Sequence, residues 1–284
     1  KYLSSIQILS YIGTYTFNLL SITLFLIPSI VFLKLNNLFK TISLLIVFSI
    51  LLSNHIYGSL ILKKNKKNLT NLSFKVKIVS PKISIMRFLQ EGDPKKTIKD
   101  LILISKPKLN EKTIFIYPEG ILPSISLQNI QNYKDIISKN FSKNHIIVIG
   151  INSYKNKNKL NEIYNSLAVF DNELNVLFKY DKNNLVPFGE FLPFENFFSK
   201  FGLKKITQGY QSFSSGSKRE IINIYNKNFL PLICYEIIYS GRLNKRLEEF
   251  DFILNLSEDG WFGDSIGLDQ HFSHSIFRAI EEGK

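Results

Sequence analysis

Phe229-Leu230-Pro231-Leu232-Ile233-Cys234-Tyr235-Glu236 is an apolar run that ends on the chain's single cysteine, followed at once by a tyrosine and a carboxylate. A short run of this kind reads as a buried strand, and Cys234 falls where the strand gives way to the next element. A side chain there can reach a cavity while its backbone stays anchored in a sheet. The plain alternative is a structural thiol, since free cysteines are often just small buried hydrophobes. Two further stretches shift the balance.

The totals set the frame. At 284 residues there is room for one large domain or two modest ones, and 45% hydrophobic with 13% aromatic residues argues against disorder. The formal charge of +13 resembles a nucleic-acid signature, but only five of the 36 basic residues are arginine. Nucleic-acid sites favour arginine's bidentate fork, so nucleic acid is not expected as a partner. A basic surface facing anionic lipid heads fits better. One cysteine excludes an internal disulfide and any cysteine-rich metal site.

Residues 2 to 33 contain no Asp, Glu, Lys or Arg, and neither do Thr41 to Leu62. Both stretches exceed the roughly 20 residues needed to cross a bilayer as a helix. They lack the polar face of a globular core helix, and two spans do not suit a cleaved signal peptide. The reading is a membrane region over 1–68, with transmembrane helices at about 6–33 and 41–62. Lys34 and Lys40 in the connector argue for one orientation, and Lys63, Lys64, Lys66 and Lys67 after the second span argue for the other.

From residue 69 to 284 the pattern becomes α/β. Expected strands are Phe74–Val79, Thr113–Tyr117, His145–Ile151, Ile163–Phe170, Val176–Tyr180, Ile221–Tyr225, Phe229–Cys234 and Phe252–Leu256. A hairpin turn is expected after Phe170. Helices are expected over Pro94–Ser105, Asn129–Asn140, Ile237–Phe250 and Asp269–Glu281. This alternation implies a mixed sheet covered by helices. The chain opens without a methionine, inside a membrane-type stretch, and closes just after a helical run; the expectation is a fragment with a C-terminally truncated catalytic domain.

The first supporting stretch is Ile114-Phe-Ile-Tyr117-Pro118-Glu119-Gly120, a strand halted by proline that delivers a carboxylate at its end. The second is Tyr180-Asp181-Lys182-Asn-Asn-Leu185-Val186-Pro187-Phe188-Gly189-Glu190. Its apolar, turn-rich part reads as a stiff cavity wall carrying Glu190. Glu119, Lys182 and Cys234, each at or just after a strand end, form a nucleophile triad of the nitrilase type.

With Asn255-x-Ser-x-Asp-x-Trp261-Phe-Gly, Gln270-His271 and Arg278-Ala-Ile-Glu281, these motifs resemble the apolipoprotein N-acyltransferase family, the membrane-bound branch of the carbon–nitrogen hydrolase (nitrilase) superfamily. The resemblance runs from about residue 70 to the end. It implies an α/β fold, a nitrilase-like αββα sandwich preceded by transmembrane helices. It also implies a multi-pass protein of the bacterial inner membrane with its catalytic domain on the periplasmic side. The implied activity moves an acyl chain from a membrane phospholipid, through a cysteine thioester, to the α-amine of the N-terminal lipidated cysteine of an apolipoprotein. Phospholipid and diacylated apolipoprotein are then the partners, the protein works as a monomer, and no cofactor is involved. Glu119 would be general base and acid, Lys182 the oxyanion stabiliser and Cys234 the nucleophile. One departure stands out: the family's usual Gln-x-Asn after the first soluble strand reads Val79-Ser-Pro-Lys82 here.

Glu190 and Glu236 are expected to orient Lys182 and the cysteine loop, with ordinary surface charge as the alternative. Tyr235 and Trp261 are expected at the acyl or head-group pocket, with core packing or interfacial anchoring as the other use for Trp261. His271 and His274 sit three apart on an expected helix, a spacing that suits a metal but lacks a third ligand. The competing functions are a membrane-tethered amidase or hydrolase with the same triad, and a catalytically dead scaffold that binds lipidated proteins.

Overall fold

A computed structural model describes residues 3–66, 72–88, 92–157, 160–194, 212–241, 243 and 249–284. The chain forms two compact units, one of Lys1–Asn71, Ile238–Lys245 and Phe272–Lys284, the other of Leu72–Ile237 and Arg246–His271.

The first unit holds helices α1 (Leu9–Leu26), which continues as a 3-10 helix over Ile27–Phe32, and α2 (Asn37–Lys66). Both are long and apolar enough to cross a membrane, and their apolar side chains are largely exposed. That is the signature of a membrane-associated protein. α2 is longer than the expected 41–62 because Asn36 accepts from the Leu38 N–H at its start and lysines continue the helix at its end. At Gly58 an added Cβ would collide with the Ser4 backbone, so glycine is what lets the N-terminal turn lie against α2. α1 breaks at Gly13 (φ 69°), which leaves the next N–H without a helical partner. The Glu281 carboxylate supplies one: it accepts from the Thr14 N–H and hydroxyl, both at 2.6 Å, and from Ser240 at 2.8 Å. Arg278 is fully buried, pairs with Glu281 at 2.8 Å and donates to the Thr14 hydroxyl. The Arg278-Ala-Ile-Glu281 motif therefore closes a break in an apolar helix, well suited to a place where water cannot.

The second unit is a sandwich of two sheets, as the family resemblance implied, where strand alternation alone suggested one mixed sheet. Five strands run in the order β1 (Lys75–Ile78), β2 (Thr113–Ile116), β3 (His145–Lys157), β4 (Leu160–Phe170) and β5 (Val176–Asp181). β1, β2 and β3 are parallel, whereas β3, β4 and β5 are antiparallel. The second sheet has β6 (Ile222–Ile224), β7 (Lys227–Ile233) and β8 (Phe252–Leu256), with β7 and β8 parallel. Alternation along the strands sends one set of side chains between the sheets, including Val148, Leu167, Tyr180, Phe229, Ile233 and Leu256. The opposite face of the first sheet, through Phe115, Ile147, Ile149 and Phe170, packs on helix α3 (Pro94–Ser105). Short helix α4 (Lys134–Ser138), preceded by a 3-10 turn, lies over the same core through Ile137. On the outer face of the second sheet Leu230 and Leu232 are buried as well. Burying each such side chain stabilises by about 1.5–3 kcal/mol.

Two local expectations change and one holds. β3 and β4 pair well past Ile151, out to Lys157 and Leu160, because a hairpin ladder continues on backbone bonds after the apolar pattern stops. The turn between β4 and β5 is as expected: Asp171 accepts from the Glu173 and Asn175 N–H groups and Leu174 takes φ 59°. The helix expected from Ile237 instead starts at Cys234 as a 3-10 turn ending at Ile238; residues 242 and 244–248 of that stretch lie outside the described residues. The final helix, α5, spans Gly267–Glu282.

Candidate active site

Four strand ends deliver the site. β2 ends at Ile116 and the Tyr117-Pro118 corner turns Glu119 inward, where it is 9% exposed rather than solvated. The loop can settle there because β3 presents Gly150, whose Cβ would stand 2.5 Å from the Glu119 Cα. β5 ends at Asp181, and Lys182 follows it into the interior with 1% exposure. β7 ends at Ile233 and the backbone turns sharply, leaving Cys234 with φ 51°. A left-handed cysteine carries about 1–3 kcal/mol of strain, so its surroundings must hold it. β8 ends at Leu256 and contributes Ser257 and Glu258.

The three triad groups converge. Lys182 Nζ lies 3.8 Å from Glu119 Oε1 and 2.8 Å from Glu190 Oε1. The Cys234 thiol lies within electrostatic reach of both the Glu119 carboxyl and the Lys182 ammonium. Glu190, not Glu119, is thus the close ion-pair partner of the ammonium. Its Oε2 also accepts from the Val186 N–H at 2.8 Å, so the Val-Pro-Phe-Gly-Glu wall is folded around its own carboxylate. Asn165 in β4 donates one amide hydrogen to Glu119 at 2.6 Å and the other to Glu190 at 2.9 Å. The Glu258 N–H completes Glu119's shell at 3.2 Å.

Electrostatics set the resting state. Burial raises the Glu119 pKa and Glu190 adds to it, against the Lys182 charge and the Asn165 hydrogen bond. Burial also pushes the Cys234 thiol up, as does the Glu119 charge, while Lys182 and a hydrogen bond to Ser257 pull the other way. Burial works against the Lys182 ammonium, but the Glu119 and Glu190 carboxylates outweigh it and hold its pKa above the ordinary lysine value. The site therefore rests with a neutral thiol beside a carboxyl group able to take its proton, and a fixed ammonium within reach of both.

Glu236 belongs to a different cluster. It is fully buried and accepts from Tyr180 at 2.8 and 2.9 Å, the Asn183 and Asn184 N–H groups at 3.1 Å, Arg219 at 2.9 Å and the Ile233 N–H at 2.9 Å. It ties the residues after Lys182 to the residue before Cys234. Tyr235 is 40% exposed, its ring stacked on His271 at 6.2 Å. Trp261 is 50% exposed and packs against Phe88 at 5.1 Å. His271 spends both ring nitrogens on Asp259 (2.8 Å) and the Cys234 carbonyl (3.2 Å), which leaves none for a metal. Among the described residues no group of three or more His, Cys, Asp or Glu could hold one.

Sequence reading missed Asn165, Arg87 and Ser257 as members of the site. Arg87 is half-buried, pairs with Glu258 and donates to the Gly120 carbonyl at 3.3 Å, fastening the Ile83–Phe88 stretch over the Glu119 turn. An asparagine inside the apolar run of β4 was a usable signal, because a buried amide in a strand needs a partner. Nothing local marked Arg87.

Residues 125–284 match the carbon–nitrogen hydrolase family. The apolipoprotein N-acyltransferase of Wigglesworthia glossinidia brevipalpis is 34% identical over 221 residues, which is 75% of this chain and 43% of that protein. That of Rhizobium rhizogenes is 32% identical over 216 residues, 73% of this chain and 40% of that protein. An amidase of the nitrilase superfamily from Nesterenkonia AN1 superposes with a TM-score of 0.44 at 11% identity, covering 72% of this chain and 73% of that one. The chain spans about two fifths of the length of the two acyltransferases. With its matched segment reaching from residue 125 to 284 and carrying Lys182 and Cys234, the chain belongs to the carbon–nitrogen hydrolase family.

Proposed function

We propose that this chain carries the catalytic centre of a phospholipid-to-apolipoprotein N-acyltransferase, over a domain running from about residue 69 to 284 behind the membrane region of 1–68. The observation that carries the reading is the meeting of the Glu119 carboxyl, the Lys182 ammonium and the Cys234 thiol in a chain that also has two helices fit to cross a bilayer. The similar proteins named apolipoprotein N-acyltransferase support the substrate class.

Glu119 takes the thiol proton as the Cys234 sulfur attacks the ester carbonyl of a phospholipid, and the new C–S bond leaves a tetrahedral oxyanion. Lys182, held by Glu190, neutralises that charge where it develops. Collapse breaks the C–O bond, Glu119 returns its proton to the departing alkoxide, and lysophospholipid leaves a thioester on Cys234. The α-amine of a lipidated N-terminal cysteine then attacks the thioester and Glu119 takes the amine proton. The thiolate leaves and is reprotonated, giving an amide. Because the neutral thiol is the resting form, proton removal accompanies attack rather than preceding it. All three groups come from one chain, so a monomer suffices. The proposed reading puts this work at the periplasmic face of the bacterial inner membrane, next to its lipid donor and lipidated acceptor.

The test is incubation of the membrane-reconstituted protein with phospholipid and a diacylated peptide, read by mass spectrometry. An N-acylated peptide with equimolar lysophospholipid is expected. Free fatty acid with unmodified peptide would make the chain a hydrolase, and peptide binding without turnover would make it a scaffold.

A further inference from the structure

His271 has no part in that scheme, yet it closes a ring of contacts around the nucleophile. Its Nδ1 lies 2.8 Å from Asp259 Oδ1 and its Nε2 lies 3.2 Å from the Cys234 carbonyl oxygen. Asp259 accepts in turn from the Ser257 hydroxyl, which also lies 3.4 Å from His271 Nδ1 and whose side chain faces the Cys234 thiol. A backbone carbonyl can only accept, and so can an ionised carboxylate. An imidazole offers N–H to two acceptors at once only when it is doubly protonated.

We infer that His271 works as an imidazolium brace, a positioning residue that holds the strained Cys234 elbow and lets go of it as pH rises. The inference rests on Cys234 being the reactive thiol and deepens that reading. A charged donor on the Cys234 carbonyl fixes the orientation of the peptide unit leading to Tyr235 and polarises its N–H, one bond from the reacting residue. Without the second proton, His271 must surrender either Asp259 or the carbonyl, and the elbow loses one of its ties.

The charges facing His271 agree in sign. The Asp259 hydrogen bond raises its pKa most; burial opposes this, while the Asp259 charge, the Cys234 carbonyl and the Glu119 charge add to the rise. Burial works to raise the Asp259 carboxyl, but the hydrogen bonds from His271 and Ser257 outweigh it and hold it below its usual range. The remaining neighbours are the rings of Tyr235 at 6.2 Å and Phe262 at 5.7 Å, and on its own helix the titratable residues nearest in sequence are Asp269 and His274. A raised histidine keeps its brace below the ordinary histidine pKa and loses it as pH climbs through the raised one.

Cys234 is the only cysteine, so iodoacetamide alkylation of the membrane-reconstituted protein reads one thiol without any lipid or peptide substrate. We compare wild type, His271→Gln and Asp259→Asn across the neutral and alkaline range. Wild type should alkylate roughly tenfold faster than His271→Gln near neutrality, with the ratio closing towards one as pH rises. In Asp259→Asn the same step should move to lower pH, since the carboxylate that supports the imidazolium is gone. A ratio independent of pH would make His271 a packing residue and overturn the brace. A step that stays in place in Asp259→Asn overturns it too, and this second variant decides the matter if His271→Gln does not fold. Loss of acyl transfer in the assay above would leave the alkylation result readable.

Discussion

Two buried carboxylates, Glu119 and Glu236, are put to opposite uses. Glu236 is saturated: five different groups, from Tyr180 to the Ile233 N–H, donate to it, and no reacting group is among them. Glu119 has two ordinary donors, Asn165 and the Glu258 N–H, and turns its remaining capacity to a thiol and an ammonium. Under the proposed reading, the comparison teaches that reactivity at Glu119 comes from incomplete satisfaction. A carboxylate held by a full shell fixes two strand ends, and one held by a partial shell can take and return a proton.

Glu119→Gln should break the contrast most sharply. Thioester formation on Cys234 should fall roughly a hundred- to ten-thousand-fold, measured by acyl-enzyme accumulation. Thermal stability at neutral pH should hold or rise, because burial disfavours the charged form that the substitution removes. Glu236→Gln should do the reverse. Its new amide would face donors such as Tyr180 and the Asn183 N–H, and the loss should approach the roughly 3–5 kcal/mol of a broken buried charge pair, read as a lowered melting temperature. If both variants melted alike, the division of labour would be wrong.

How much of this was legible in the sequence follows from how local each signal is. The eight strands among the described residues all fall on stretches expected from the sequence, and Cys234, Glu119 and Lys182 stand at or just after strand ends, where the chain order alone suggests chemistry. The split into two sheets was not visible from alternation, because the period of a strand tells which side chains share a face and not which strand lies alongside. β6 and β7 could have extended the first sheet; their pairing with β8 is a tertiary outcome. The same limit hid Asn165 and Arg87, whose partners lie 46 and 171 residues away along the chain. Glu236 was placed beside Cys234 by sequence, but its role in tying down the residues after Lys182 depends on the fold.

Smaller effects sharpen the picture. Lys182→Met should slow acylation roughly a hundred- to a thousand-fold, the usual loss for one oxyanion donor, with phospholipid KM little changed. Asn165→Ala removes a hydrogen bond that lowers the Glu119 pKa, so that pKa should rise further. Glu119 acts as base only when ionised, so the acid limb of the pH–rate profile should shift to higher pH, with a stability loss of about 1–3 kcal/mol from the unpaired partners. An unmoved acid limb would assign that limb to another group.

The most direct test of the thiol, carboxyl and ammonium acting together is intact-protein mass spectrometry after exposure to a phospholipid of defined acyl chain. The account predicts one acyl adduct on wild-type protein, released by hydroxylamine and absent from Cys234→Ala. An adduct that persists in Cys234→Ala, or N-acylated peptide formed by that variant, would contradict it.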